Sequence, residues 1–192
     1  MNRQEEILLS LKKLDYMTRR QIQIIHDLKS VRNANRILKG MERYLNHFYD
    51  GRKVYYLNKE GRHYVNCNNV RSKTTTANHY LMRNDLYIHY NQPTTWKNEM
   101  RLISGEDKNK ITVVADARFI HNDKYHIVEI DNLQKMNKNR LKIDKYRRLI
   151  ERNSFKGMPV LIWVTASEYR KRKLLELCDG LDVKAFLNTD FY

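Results

Sequence analysis

The sequence predicts an α/β protein, α+β overall, in two parts: a helical module closed by a β-hairpin, then an α/β domain on a mixed sheet. Three observations predict this. Apolar residues recur at helical spacing three times within the first 48 positions and then give way to a short Asp-Gly hairpin. Two apolar runs, 111–120 and 125–130, flank the polar link His121-Asn122-Asp123-Lys124, which reads as a second hairpin. The chain then closes with strand, helix, strand, an order that implies a parallel pair joined by a crossover helix.

Taken in order, Ile7, Leu8, Leu11 and Leu14 share one face of a helix over 4–14. Thr18 caps a second helix over 19–27, with Ile22 and Ile25 inward. Ser30 caps a third, running to about residue 47, whose apolar face is Ala34, Ile37 or Leu38, Met41, Leu45 and Phe48. On its opposite side Arg32, Arg36, Lys39 and Arg43 form a stripe, with Asn33 nearby. Residues 48–57 read as two short strands around Asp50-Gly51, with Arg52 and Lys53 at the tip, and 58–62 as a turn. Three helices and a hairpin are the order of a winged helix-turn-helix. Arginine reaches guanine edges or phosphate and asparagine reaches adenine, so the third helix suits a DNA reader, with the basic tip on backbone phosphate. The competing reading is a small helical domain whose charged stripe is only solvated.

The polar, Asn/Thr-rich stretch 66–76 is the candidate linker, giving domains 1–68 and 75–192. In the second, 77–90 reads as a helix, and the segment 96–103 contains Glu99. A basic amphipathic helix covers 132–152, with Lys135, Lys138, Lys142 and Lys145 on one side and Met136, Ile143, Tyr146 and Ile150 roughly opposite. That lysine row either tracks a phosphate backbone or is a solvated face. Residues 158–164 form an apolar strand buried on both faces, 167–178 a helix with the solvent-facing cluster Arg170-Lys171-Arg172-Lys173, and 183–187 the last strand.

Composition narrows the function classes. Thirty-seven Lys and Arg against 22 Asp and Glu leave a formal charge of +15, spread over both halves, which favours a polyanionic partner, double-stranded DNA above all. Two cysteines, Cys67 and Cys178, are too few for a disulfide framework or a cysteine zinc site. The start lacks a signal-peptide core and no apolar run reaches transmembrane length, so the expectation is a cytoplasmic protein with no membrane partner.

The acids carry the sharpest alternative. With Asn122-Asp123 as a two-residue turn, Asp116 lies opposite Glu129, and Asp131 falls on the same face. Carboxylates about 5 Å apart across a hairpin repel, so a metal ion or basic groups must offset them. Three readings stand: a Mg²⁺ site, with Asp116 and Glu129 as ligands; a polar cluster paired with basic neighbours such as Arg118; or a site for an ion or basic peptide without chemistry. A strand Asp followed by a strand Glu, preceded by a helical acid, resembles the restriction-endonuclease-like superfamily. The resemblance implies Glu99 as the helical acid, Asp116 as the strand Asp and Glu129 as the metal-binding Glu. Asp131 stands where that superfamily has its lysine, and Ala115 where it has proline. Lys142 or Lys145 are the candidates for a migrated lysine.

Over most of its length the chain resembles the replication-relaxation family of bacterial plasmids and phages. The resemblance rests on Leu14-Asp15-Tyr16-Met17-Thr18-Arg19-Arg20-Gln21-Ile22, Val114-Ala115-Asp116-Ala117, Val128-Glu129-Ile130-Asp131 and Lys142-Ile143-Asp144-Lys145-Tyr146. It implies a winged helix joined to a catalytically degenerate nuclease-like domain, and a DNA-binding regulator of replication or transcription on a mobile element. The regulator needs no cofactor, and a homodimer reading paired half-sites is its default state. The alternatives are a Mg²⁺-dependent endonuclease or nickase and a module for a protein partner.

Overall fold

The computed structural model describes residues 2–191. By its contacts the chain divides into two units, Met1–Ile88 and His89–Tyr192.

The first unit begins with α1 (Arg3–Leu14), capped by Asn2, whose side chain accepts from the Gln4 amide. A two-residue strand β1 (Met17–Thr18) leads into α2 (Arg19–Ile25). Thr18 caps α2 as expected, and a full capping box forms, Gln21 answering from its third position. Ser30 caps α3 (Val31–Lys39), also as expected. That helix ends earlier than the apolar repeat implies, because Gly40 and a run of turns intervene before β2 (Leu45–Asp50). Leu45 and Phe48 therefore enter the core from a strand. Strand β3 (Arg52–Leu57) folds back on β2 around Gly51, whose φ of 63° glycine adopts at little cost. β1 pairs with β3, giving a three-stranded sheet in the order β1-β3-β2.

Two elements differ from expectation. Residues read as a turn form α4 (Lys59–Tyr64), capped by Asn58. Gly61 lets this helix lie against the chain at Tyr44, where an added Cβ would sit 2.2 Å from the Tyr44 carbonyl oxygen. The helix α5 (Ala77–His89) appears where expected, but it belongs to the first unit almost to its end. The boundary thus moves from 66–76 to 88/89. The cause is a buried polar network that no hydropathy pattern shows. Arg83, 1% exposed, donates to the Asp15 carboxylate at 2.9 Å, and Arg71 closes on its other oxygen at 2.8 Å. Asn84 donates to the Leu14 and Tyr16 carbonyls, and the Gln21 side chain to Asp85 and the Leu81 carbonyl. Tyr16, Phe48, Val54, Tyr56, Ala77 and Leu81 pack as one cluster. The cost of burying the Asp15 and Arg83 charges is offset by this pairing, although Arg83 Nε and Asn84 Oδ1 find no partner among the described residues.

The second unit is a five-stranded mixed sheet in the order β4-β5-β6-β7-β8. Its strands are β4 (Lys97–Ser104), β5 (Ile111–His121), β6 (Lys124–Asp131), β7 (Val160–Thr165) and β8 (Val183–Leu187). The β5–β6 hairpin turns on Asn122 and Asp123, both left-handed (φ 49° and 58°), with His121 paired to Lys124 as expected. β6, β7 and β8 run parallel, linked by α6 (Met136–Glu151) and α7 (Glu168–Leu177). β7 is buried along its whole length, as its apolar run implies. Ile143, Tyr146 and Leu149 of α6 pack with Ile127, Leu161 and Trp163 of the sheet. Leu149 takes the inward place the pattern gave to Ile150, which is only half-buried. Residues 97–104, expected to supply a helical acid, form a strand paired antiparallel to β5.

Candidate functional site

Two regions carry the residues the sequence singles out. In the first unit, Ala34 and Leu38 face the core from α3, while Arg32, Arg36 and Lys39 are exposed along it and Arg43 in the turns beyond. Arg52 and Lys53 are exposed at the start of β3. Asn33 is committed elsewhere: its amide donates to the Leu28 carbonyl at 3.0 Å and its oxygen accepts from Arg36 at 3.0 Å. A groove of about 330 Å³ lies between α3 and the hairpin, and Lys39, His47 and Lys53 contribute its basic lining. A basic stripe and a basic hairpin are legible in the sequence, and in the tertiary structure Lys39 and Lys53 line one groove.

In the second unit, β6 turns alternate side chains toward α6, and Glu129 and Asp131 point that way, 1% and 0% exposed. Glu129 is held by both its oxygens: the Lys142 ammonium contacts Oε2 and the Tyr146 hydroxyl donates to Oε1. Lys142 and Tyr146 are one helical turn apart on α6, which is why both reach the same carboxyl. Asp116 reaches the same neighbourhood. Hairpin pairing runs to Ala117 opposite Val128, and at the next step Asp116 Oδ2 accepts from the Ile130 amide at 2.7 Å. Burial, and then the Asp116 charge, push the Glu129 carboxyl up to about 8, against the opposing pull of Lys142 and Tyr146. Burial and the same carboxylates raise Tyr146 well above its ordinary value.

Asp131 is separately bound. Arg170 of α7 grips it with two bonds of 2.6 Å, Asn139 of α6 donates at 2.8 Å and Thr165 of β7 at 2.9 Å. Arg170 is therefore not solvent-facing decoration, and its neighbours pair too, Lys171 near Glu168 and Asp190, and Lys173 with Glu176. Arg118, expected as an acid's partner, instead lies with its guanidinium 5.5 Å from the Tyr125 ring. The lysine row divides: Lys135 and Lys138 are exposed, Lys142 turns in to Glu129, and Lys145 donates to the Thr112 carbonyl at 3.1 Å.

The carboxylates expected as metal ligands, Asp116 and Glu129, both have hydrogen-bond partners within the protein. The oxygens of Glu129 and Asp131 already accept from basic or neutral donors, and Glu99 is exposed on a strand in a left-handed conformation, φ 50°, not on a helix. Among the described residues no three His, Cys, Asp or Glu side chains gather as a metal site. The partners that decide this were only partly legible. Asn139, Lys142 and Tyr146 share a helix face by spacing alone, whereas Arg170 lies 39 positions from Asp131 and left no signal.

Fold and site together define a basic two-unit protein: a helical module with a three-stranded sheet, then a mixed α/β unit whose strand acids are tied to basic and hydroxyl partners. The chain belongs to the replication-relaxation family, whose model matches residues 8–162. Membership associates it with replication. No curated protein matches the chain. Among solved structures, protein VC1899 from Vibrio cholerae is similar at 11% identity and a TM-score of 0.45, over 99% of this chain and 54% of that one. This chain therefore spans about half of that protein's length. Among the described residues no helix is long and apolar enough to cross a membrane.

Proposed function

We propose that the chain is a DNA-binding regulator of replication or transcription on a bacterial mobile element, a plasmid or phage. In this reading the first unit is a winged helix-turn-helix: α3 enters the major groove and the β2–β3 hairpin touches the phosphate backbone. The second unit serves dimerisation, backbone or partner contacts, with Lys135 and Lys138 as the exposed candidates for phosphate. One observation carries the reading. Arg32, Arg36, Lys39 and Arg43 are all exposed on and just after a helix whose opposite face is buried, beside the exposed Arg52 and Lys53.

Duplex binding across a salt series tests it. Each phosphate contact removed lowers the slope of log affinity against log salt by about one, so Lys53→Gln and Arg43→Gln each flatten the plot. Affinity indifferent both to salt and to Arg32, Arg36 and Arg43 refutes the reading. The endonuclease or nickase alternative has its own assay: supercoiled DNA with Mg²⁺, where nicking lost in Glu129→Ala would reinstate it. No nicking is expected, because the carboxylates that would bind the ion are already bonded.

A further inference from the structure

We infer that the second unit binds a planar aromatic ring bearing one anionic group, in a pocket that shares no residue with the acidic cluster. The pocket, about 310 Å³, is formed by β4, β5, β6 and the segment that follows α6. That volume is at the small end for ligand sites, about right for a single ring system with a substituent. Its lining sorts by chemistry. Met100, Leu102 and Ile127 supply aliphatic and thioether surface, Tyr125 and Phe155 supply rings, and Arg118 and Lys156 supply positive charge. None of the lining residues is acidic.

Arg118 fixes the sign of the ligand. Its Nε–H is buried with no hydrogen-bond partner among the described residues, while its guanidinium lies 5.5 Å from the Tyr125 ring. No acid lines the pocket beside that guanidinium, so an anion entering it would supply the missing opposite charge. Lys156 is exposed beside it, as a second cation that keeps its solvent contact. Rings on the pocket wall favour a flat partner, because a ring stacks or packs edge-to-face on Tyr125 and Phe155 at little entropic cost. A nucleoside monophosphate and an aromatic carboxylate share this chemistry.

Isothermal titration of the full chain separates the sources. The titrants are deoxythymidine monophosphate, indole-3-carboxylate, neutral thymidine and inorganic phosphate. At least one of the two ring anions is expected to saturate a single site, with thymidine and inorganic phosphate at least tenfold weaker. Whichever ring anion binds tighter names the source. Arg118→Gln should weaken that binding at least tenfold, and so should Lys156→Gln, which changes an exposed loop side chain and leaves the core intact. Arg36→Gln, on the other unit, should leave it unchanged. The inference is overturned if neither ring anion saturates, if inorganic phosphate binds as tightly as the ring anions, or if both pocket variants bind like the wild type. Because the pocket lies outside the proposed duplex-reading residues, duplex binding can fail while this result stands, and the reverse.

Discussion

Removing Arg170 from its buried partner is the most demanding test of the second unit. Asp131 is 0% exposed and the Arg170 side chain 24%, so the pair has one desolvated end and one that touches solvent. Removing one member of a buried ion pair costs about 3–5 kcal/mol, because the other charge stays behind uncompensated. Asn139 and Thr165 still donate to the carboxylate, which places Arg170→Met near the lower bound, about 3 kcal/mol. Adding Asp131→Asn removes the stranded charge. The new amide can accept from Asn139 and donate to the Thr165 hydroxyl, so the double variant should recover about 2 kcal/mol of that loss. Urea unfolding followed by tryptophan fluorescence is the assay, since both tryptophans, Trp96 and Trp163, lie in the second unit and are buried. A loss below about 1 kcal/mol for Arg170→Met would make the pair an ordinary surface contact. Losses that simply add in the double variant would also refute the argument.

Other perturbations probe separate parts of the molecule. Glu129 titrates in the folded protein at about 8, above its unfolded value, so its stabilising contribution is complete below about pH 4.5 and is lost as pH rises through 8. Glu129→Gln should flatten the decline in second-unit stability between those limits, measured by the same fluorescence, and an unchanged pH profile contradicts the assignment. Burial lowers His26 to about 4, consistent with an Nε2 that has no hydrogen-bond partner among the described residues. Stability from this group is present above pH 6.5 and is lost as pH falls through 4; an NMR titration midpoint near 6 would show the ring to be solvated. Gly61→Ala sets propensity against sterics. Alanine gains about 1 kcal/mol as a helix former, yet its Cβ meets the Tyr44 carbonyl at 2.2 Å, and such overpacking costs about 1–3 kcal/mol. The melting temperature should fall, and a rise would mean that α4 can shift away from Tyr44.

Local chemistry was legible where it was self-contained. Thr18 and Ser30 cap helices because a short hydroxyl side chain reaches an amide two or three residues on, and nothing distant interferes. The Asn122-Asp123 turn and its register follow from the left-handed backbone that a two-residue hairpin requires. The parallel β6–β7–β8 edge follows from strand, helix, strand order. The apolar repeat misled at the end of α3, where Leu45 and Phe48 kept helical spacing while lying on a strand. Three-residue spacing alone does not separate the two when turns such as those at 40–44 intervene.

The sequence by itself determined a basic chain with two kinds of hydrophobic period, a charged stripe beside a hairpin, and the turn and register of a second hairpin as far as Ala117 opposite Val128. Only the tertiary structure decided what the strand acids are bonded to and which unit α5 joins. The physical reason is the same in both cases. Buried polar groups are satisfied by partners remote in sequence: Arg83 finds Asp15 across 68 residues, and Arg170 finds Asp131 across 39. Hydrophobic periodicity records which face is buried, but not which charge waits there.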